Sequence, residues 1–301
     1  MTTQSPRTLP EVAVPANAPE PGPHWHGSLS LRYRRDGERT IGSDRHDGPL
    51  RVLKTLHPEG PGTCHHVLVH PPGGIVGGDR LDIDIDLQEG AHALITTPGA
   101  TRFYRSKGPA AAQHVSARVA AGARLEWLPL ETIAYRGAIA ANRMRFALAP
   151  GATMIGWEIL ALGLPAAGEP FDAGRFEQHV ELPGVWLDRG TVAPGERIGR
   201  LLLDSPLGWD GRTTLCTMWC ASGDNWAPAG LESLLHAARE RLAAGPDPDR
   251  AGATAPHPRA VVVRALGNRV EPLWSTLRAI RDDWRRLLWN SAAVSPRIWR
   301  T

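Results

Sequence analysis

HPPGGIVGGDRLDIDIDLQEGAHALITTPGATRFYRS, residues 70–106, is the stretch that decides the fold. It opens on Pro71-Pro72 and the pairs Gly73-Gly74 and Gly77-Gly78. Proline fixes φ and glycine admits positive φ, so this part is a rigid, non-helical turn. Leu81, Ile83, Ile85 and Leu87 then alternate with Asp82, Asp84 and Asp86. A period of two describes a strand with one dry face and one wet face. Gln88-Glu89-Gly90 turns the chain, 91–97 reads as a second strand, and Pro98-Gly99 turns it again.

Outward from this stretch the pattern recurs. Gly90-Ala91, Gly122-Ala123 and Gly151-Ala152 each follow a turn and open an apolar run, at intervals of 32 and 29 residues. Such intervals suit one stacked supersecondary unit. The strand candidates 113–119 and 142–148 lie between them, so each unit reads as strand, turn, strand around a shared core. Earlier, Leu29, Leu31 and Tyr33 alternate after Trp25, and 50–56 and 64–70 give two more strands. Residues 155–162 read as a short helix or a buried strand, because a short apolar run does not distinguish them. Further strands are expected at 175–182, 185–187, 201–203, 215–218 and 260–265, with a solvated loop over 245–258. Leu231, Leu234, Leu235, Ala238 and Leu242 share one helical face in 231–244, and Gly245-Pro246 stops that helix. A second amphipathic helix spans 270–289, its apolar side including Leu273, Leu277, Ile280 and Trp284. Arg278, Arg281, Arg285 and Arg286 fall elsewhere on it and read as a wet face.

The 301 residues suffice for one large β-rich domain or two smaller ones. Residues 1–23 are Pro- and Ala-rich and are expected to be a disordered tail, with 24–301 the folded part. The net charge of +3 is too small to argue for nucleic acid. Three cysteines without a CxxC pair fit a reducing compartment. No apolar run has signal-peptide or membrane-spanning length, so a soluble cytoplasmic protein is expected.

The glycine pairs do not match GxGxxG, no GxxxxGK[ST] occurs, and a strand rather than a helix follows them, which argues against a nucleotide site. Neither GxSxG nor HExxH is present. Cys64, His66 and His70 fall on one face of a strand and are soft ligand types that suit nickel or zinc. Asp82, Asp84 and Asp86 form a carboxylate row, read as a solvated face. Glu126 and Glu131 sit among apolar residues and need a partner, with Arg102, Arg105 or Arg136 as candidates, or else mark a polar point in an internal conduit. Asp79 is placed to cap its turn through backbone N–H groups. Tyr104 and Arg105 are of types favoured at interfaces. A competing reading is a β-helical carbohydrate-active enzyme drawing an Asp/Glu pair from Asp82, Asp84, Glu126 and Glu131. RNA binding through the Arg-rich last helix is a weaker one.

HPPGGIVGGD at 70–79, TTPGATRFYRS at 96–106, LEWLPLETI at 125–133, WEILALG at 157–163 and PRIWRT at 296–301 together resemble the urease accessory protein family UreD, also called UreH. Leu130 departs from it, standing where Gln is usual, as does Arg102, where Lys is common. The resemblance implies a mainly β fold: a large two-layer, β-helix-like stack of sheets, with about two amphipathic helices near the C-terminus. It implies a maturation factor rather than an enzyme, joining UreF and the GTPase UreG on apo-urease and assisting nickel delivery through a tunnel in its β structure. No cofactor is then tightly bound, and nickel is handled transiently, because a closed ligand set would not pass it on. The weak nickel candidates are Asp79, Glu126, Glu131, Cys64, His66 and His70; Tyr104 and Arg105 are the interface candidates.

Overall fold

A computed structural model describes residues 25–300. The tail expected at 1–23 lies outside the described residues. The first half is built of short strands: β1 (His26–Asp36), β2 (Arg39–Asp47), β3 (Arg51–Leu56), β4 (Thr63–Val69), β5 (Arg80–Leu87) and β6 (His92–Thr96). There follow β7 (Thr101–Phe103), β8 (Ala111–Val119), β9 (Arg124–Trp127), β10 (Thr132–Ala134), β11 (Ile139–Leu148) and β12 (Thr153–Leu162). Next come β13 (Arg175–Leu182), β14 (Trp186–Val192), α1 (Arg197–Asp204) and β15 (Thr214–Ser222). The chain closes with α2 (Pro228–Ala243), β16 (Ala251–His257), β17 (Ala260–Gly267) and α3 (Val270–Trp289).

Two sheets stack face to face. The first has seven strands in the order β14-β13-β11-β8-β5-β1-β2. The second has ten, ordered β16-β17-β15-β12-β9-β6-β4-β3, with β10 and β7 branching from β12. Each of β5, β8 and β11 crosses through a tight turn to β6, β9 and β12 in the other sheet, and like strands then pair in parallel. This is the coil-upon-coil path of a β-helix, and it accounts for the Gly-Ala spacing. Gly90, Gly122 and Gly151 all have positive φ, and a Cβ on Gly151 would meet the backbone N of Gly122 at 3.3 Å. The three corners thus stack in one column, with Ala91, Ala123 and Ala152 fully buried beneath them.

Leu81, Ile83, Ile85 and Leu87 face the gap between the sheets, as their alternation requires, alongside Leu29, Leu31 and Tyr33. The second sheet is covered on both faces, so β6 is buried at every residue and β12 nearly so. Strands of that kind lose the two-residue period, which is why 155–162 was ambiguous; it is strand. A second apolar core joins Trp157, Cys216 and Met218 to Leu234, Leu277, Ile280 and Trp284 of the two long helices.

Three expectations are corrected. Leu201–Leu203 lie in α1, where positive-φ Asp210 and Gly211 soon follow, and not in a strand. The supposed loop 245–258 contains β16, an edge strand whose small residues pair with β17. Arg281 and Arg285 are not on a wet face: each is 1% exposed, turned onto the second sheet.

Candidate functional site: a polar file between the sheets

The Pro- and Gly-rich turns at 70–78 and 97–102 frame one end of the gap between the sheets. They border a cavity of about 250 Å³ that reaches inward to Leu81, Ile83, Gln113 and Trp127. The walls are mostly apolar, and the polar groups facing it include His70, Thr97, Thr101, Arg102 and Gln113. Asp79 holds the first turn closed by accepting hydrogen bonds from the backbone N–H groups of Trp25 (3.2 Å) and Val76 (3.1 Å).

Inward from the cavity, polar side chains continue along the axis of the stack. Gln113, Asn142 and Gln178 occupy the same register position on β8, β11 and β13, all facing the gap. Gln113 Nε2 donates to Asn142 Oδ1 at 3.3 Å. Opposite them stand Thr132 on β10, Glu158 on β12 and Thr217 on β15, each no more than 2% exposed. Burial pushes the Glu158 carboxyl up to about 7, against smaller lowering by the side chains of Thr132 and Asn142. Among the described residues it makes no salt bridge, and no cation figures among the causes of its shift. Asn142 Nδ2, Glu158 Oε1 and Thr217 Oγ1 have no hydrogen-bond partner among the described residues, nor do Trp127 Nε1 and Trp219 Nε1. Buried polar atoms almost always find a partner, so this group calls for water or an ion between the sheets. Chemically it offers one carboxylate among neutral oxygens, a weak and exchangeable donor set for a divalent cation.

Glu126 lies on the other face of the second sheet, beneath α3. Its Oε2 accepts from Arg281 Nε at 2.7 Å, and its Oε1 from Arg285 Nη1 at 3.0 Å. His92 Nε2 stands 3.1 Å from the same Oε1. Burial would raise this carboxyl, but the charge of Arg281, with His92 and Arg285, outweighs it and holds Glu126 far below the usual range. Arg285 also bridges to Glu59, whose Oε1 lies 2.7 Å from His65 Nε2. This is an ion-paired latch between α3 and the sheet, although Arg281 Nη2 and Arg285 Nε have no hydrogen-bond partner among the described residues, and its partners are not those the sequence suggested. Arg136 instead pairs with Asp172, and Arg105 packs its stem over Gly137.

The other expected site residues scatter. Cys64 and His66 share one side of β4, both within 2.8 Å of where a Gly42 Cβ would stand, but His70 lies past the strand end and faces the cavity. The trio does not assemble. His66 Nδ1 is 2.8 Å from the Tyr33 hydroxyl and Nε2 is 3.0 Å from Thr55 Oγ1, so both ring nitrogens are engaged. Burial lowers His66 to about 4 and pushes the Cys64 thiol up to about 12. Among the described residues, no three His, Cys, Asp or Glu side chains converge as a metal centre. Asp82 and Asp84 are on the outer face of the first sheet and Glu126 is under α3, on the far side of the second. They form no carboxylate pair across a cleft, and Glu131 is half-buried in the loop before β10. Tyr104 rests against Tyr135, ring centroids 4.8 Å apart, and Leu130 packs against the helical core.

Gln113, Asn142, Gln178 and Glu158 were missed. A signal existed: Gln113 shares the parity of Val115, Ala117 and Val119, so a polar residue stands at an inward position. Asn142 follows it after 29 residues, one repeat later.

Comparison with known sequences agrees with this architecture. The profile of the UreD urease accessory protein family matches residues 26–300. The chain is 56% identical over 280 residues to urease accessory protein UreD of Leptothrix cholodnii, covering 92% of this chain and 99% of that protein. It is 56% identical over 297 residues to the protein of the same name from Methylibium petroleiphilum, again at 92% and 99% coverage. The corresponding protein of Albidiferax ferrireducens is 53% identical over 275 residues, covering 91% and 99%. No helix among the described residues is long and apolar enough to cross a membrane.

Proposed function

The chain belongs to the UreD family of urease accessory proteins, and from that premise we propose that it helps pass nickel into apo-urease along the polar file between its sheets. Membership supports a role in urease maturation and association with urease and its other accessory proteins. The finer reading is a scaffold that stands on apo-urease with UreF and the GTPase UreG in the cytoplasm, performing no covalent chemistry itself. GTP hydrolysis belongs to UreG, and nickel is cargo.

The observation that carries this reading is the line of orphaned polar atoms inside an otherwise apolar stack. A purely structural core of this size gains nothing from a buried Glu158 that has no ionic partner among the described residues. Transport does gain, because neutral oxygens and one carboxylate near its ionisation point bind a hydrated cation weakly enough to release it. Asp79 closes the turn that borders the cavity, and Glu131 comes two residues after Pro129, which lines it. Cys64, His66 and Glu126 are engaged elsewhere, which leaves His70 as the soft donor at the mouth.

The test is the nickel content of urease purified from cells with and without this gene, the other accessory genes retained. Nickel-poor urease in the deletion strain, restored by wild type but not by Glu158→Leu, is expected. Fully loaded urease without the gene would overturn the proposal.

A further inference from the structure

The PRIWR run at 296–300 lies on the outer face of the second sheet, across its strands from the cavity. A short 3-10 turn, Arg297–Arg300, buries Trp299 there. Its indole packs between Trp157, at 5.6 Å between ring centres, and Trp274, at 5.3 Å. The Arg281 guanidinium that holds Glu126 also lies 5.7 Å from this ring, so strap and latch are one unit. Trp299 Nε1 donates to Thr96 Oγ1 at 2.8 Å, and the Thr96 hydroxyl donates in turn to the Leu128 carbonyl at 2.6 Å. A hydroxyl that accepts from an indole keeps its own proton to give, so Trp299 fixes the direction of the second bond.

That second bond falls where the backbone ladder runs out. The last residues paired between β6 and β9 are Ile95 and Trp127. Beyond them side chains join the two segments: Thr96 to Leu128, then the Leu130 N–H to Thr97 Oγ1 at 3.0 Å. Trp157 Nε1 holds the Pro129 carbonyl at 2.7 Å. Thr97 and Pro129 line the cavity, so the residues that Trp299 and its stack grip outside the sheet are those that carry the wall inside it.

On the conduit reading above, we propose that Trp299 is a positioning residue for nickel transfer: from outside the sheet it sets the spacing of the Thr97 and Pro129 walls through which cargo enters the file. Passage of a cation depends on groups held at set separations, and a misplacement of about 1 Å in such a site is strongly felt. Trp289 is the matched control. It is as buried as Trp299, and its Nε1 donates to Thr153 Oγ1 at 2.9 Å. That bond lies at the Gly-Ala corner end of the same strands, level with Arg124 and His92.

The test expresses the full chain in the gene-deletion strain. It reads nickel per urease at limiting nickel, the chain co-purifying with urease, and the thermal midpoint of the purified chain. Trp299→Phe keeps a stacked ring and removes the donor; Thr96→Val keeps the shape and removes the hydroxyl. Each should lower nickel loading about fivefold, the effect of one hydrogen bond on a transfer step, with wild-type co-purification. The double variant should load no worse than either single one, because both break the same chain of bonds. Trp289→Phe should lower the midpoint as far as Trp299→Phe does, by about 2–4 °C, and leave loading at the wild-type level. Wild-type loading in Trp299→Phe and Thr96→Val would overturn the proposal. So would additive losses in the double variant, an equal loss of loading in Trp289→Phe, or a fall in co-purification that matches the fall in nickel. The conduit reading fails separately, if urease from the deletion strain carries its full nickel with no copy of the gene restored.

Discussion

Glu126 and Glu158 sit on the adjacent strands β9 and β12 of one sheet, both almost wholly out of water, on its opposite faces. Glu126 is enclosed by Arg281, Arg285 and His92, and its pKa is driven down. Glu158 meets only neutral side chains, and burial drives its pKa up to about 7. The same residue type, desolvated to the same degree, is a fixed anion on one face and a group poised between charge states on the other. The difference lies in what is packed over each face. Helices bring long arginines to the first; the opposing sheet brings amides and hydroxyls to the second. One environment suits a latch that must not open, the other a passage that must not hold its cargo.

The largest expected effect breaks the latch. Glu126→Gln leaves Arg281 buried opposite a neutral group and Arg285 with Glu59 as its remaining carboxylate, and removing one partner of a buried ion pair costs about 3–5 kcal/mol. Equilibrium unfolding in denaturant should show that loss as a lower midpoint with α3 intact in sequence. A loss below about 1 kcal/mol would mean that the cluster is wet, and the contrast with Glu158 would collapse.

Much of the stack was legible because its rules are local. The period of two in β5, the Gly-Ala corners and the two amphipathic helices all follow from neighbouring residues. Glu126 was legible only as a residue in need of a partner. Its actual partners lie 155 and 159 residues away, and nothing in a helical period says whether an arginine off the apolar face points to water or to a sheet. Arg281 and Arg285 were therefore misplaced on the surface. The polar file was illegible for a different reason: its members are single residues in six strands, aligned only by the register between strands. Gln113 and Asn142 could have been found from strand parity and repeat length together. Glu158, on a strand buried on both faces, carried no parity signal at all, and β10 with three residues is too short for Thr132 to show one.

The next effect sharpens the comparison through pH. The folded pKa of Glu158 is raised, so its contribution to stability is full below the unfolded value, near 4.5, and falls as pH rises toward about 7. At the limit this amounts to roughly 3 kcal/mol. Glu158→Gln should remove that decline, leaving the variant as stable as wild type at acid pH and more stable above neutrality. Glu126 runs the other way: its depressed pKa gives stability above the unfolded value that is lost as pH falls below it. The cost of Glu126→Gln should therefore shrink toward acid. Parallel pH profiles for the two variants would contradict the assignment of opposite environments. Urease activation should fall in Glu158→Gln despite its added stability.

A smaller effect is expected at the mouth of the file. Gln113→Leu removes the donor to Asn142 and leaves a further buried amide unpaired, at a cost of about 1–2 kcal/mol. Nickel loading of urease should drop by more than this instability explains, which thermal melts of the purified variant would check. Unchanged loading would place the working path elsewhere than along Gln113 and Asn142.

The smallest effect belongs to the carboxylates that the sequence displayed most openly. Asp84 is exposed on the outer face of β5, between Ser30 and Ser116 in register, and makes no ion pair among the described residues. Its neighbour Asp82 is half-committed already, with His26, Arg80 and His114 around it. An exposed carboxylate without a partner contributes little, so Asp84→Asn should shift stability by less than about 0.5 kcal/mol. It should also leave urease activation and nickel content at wild-type levels. Activation lost in Asp84→Asn, with the fold intact by circular dichroism, would put function on the outer face and remove the reason for contrasting the two buried glutamates. Conspicuous charge in a sequence marks the surface that water keeps; the informative carboxylates are the two that alternation and helical period leave in the dark.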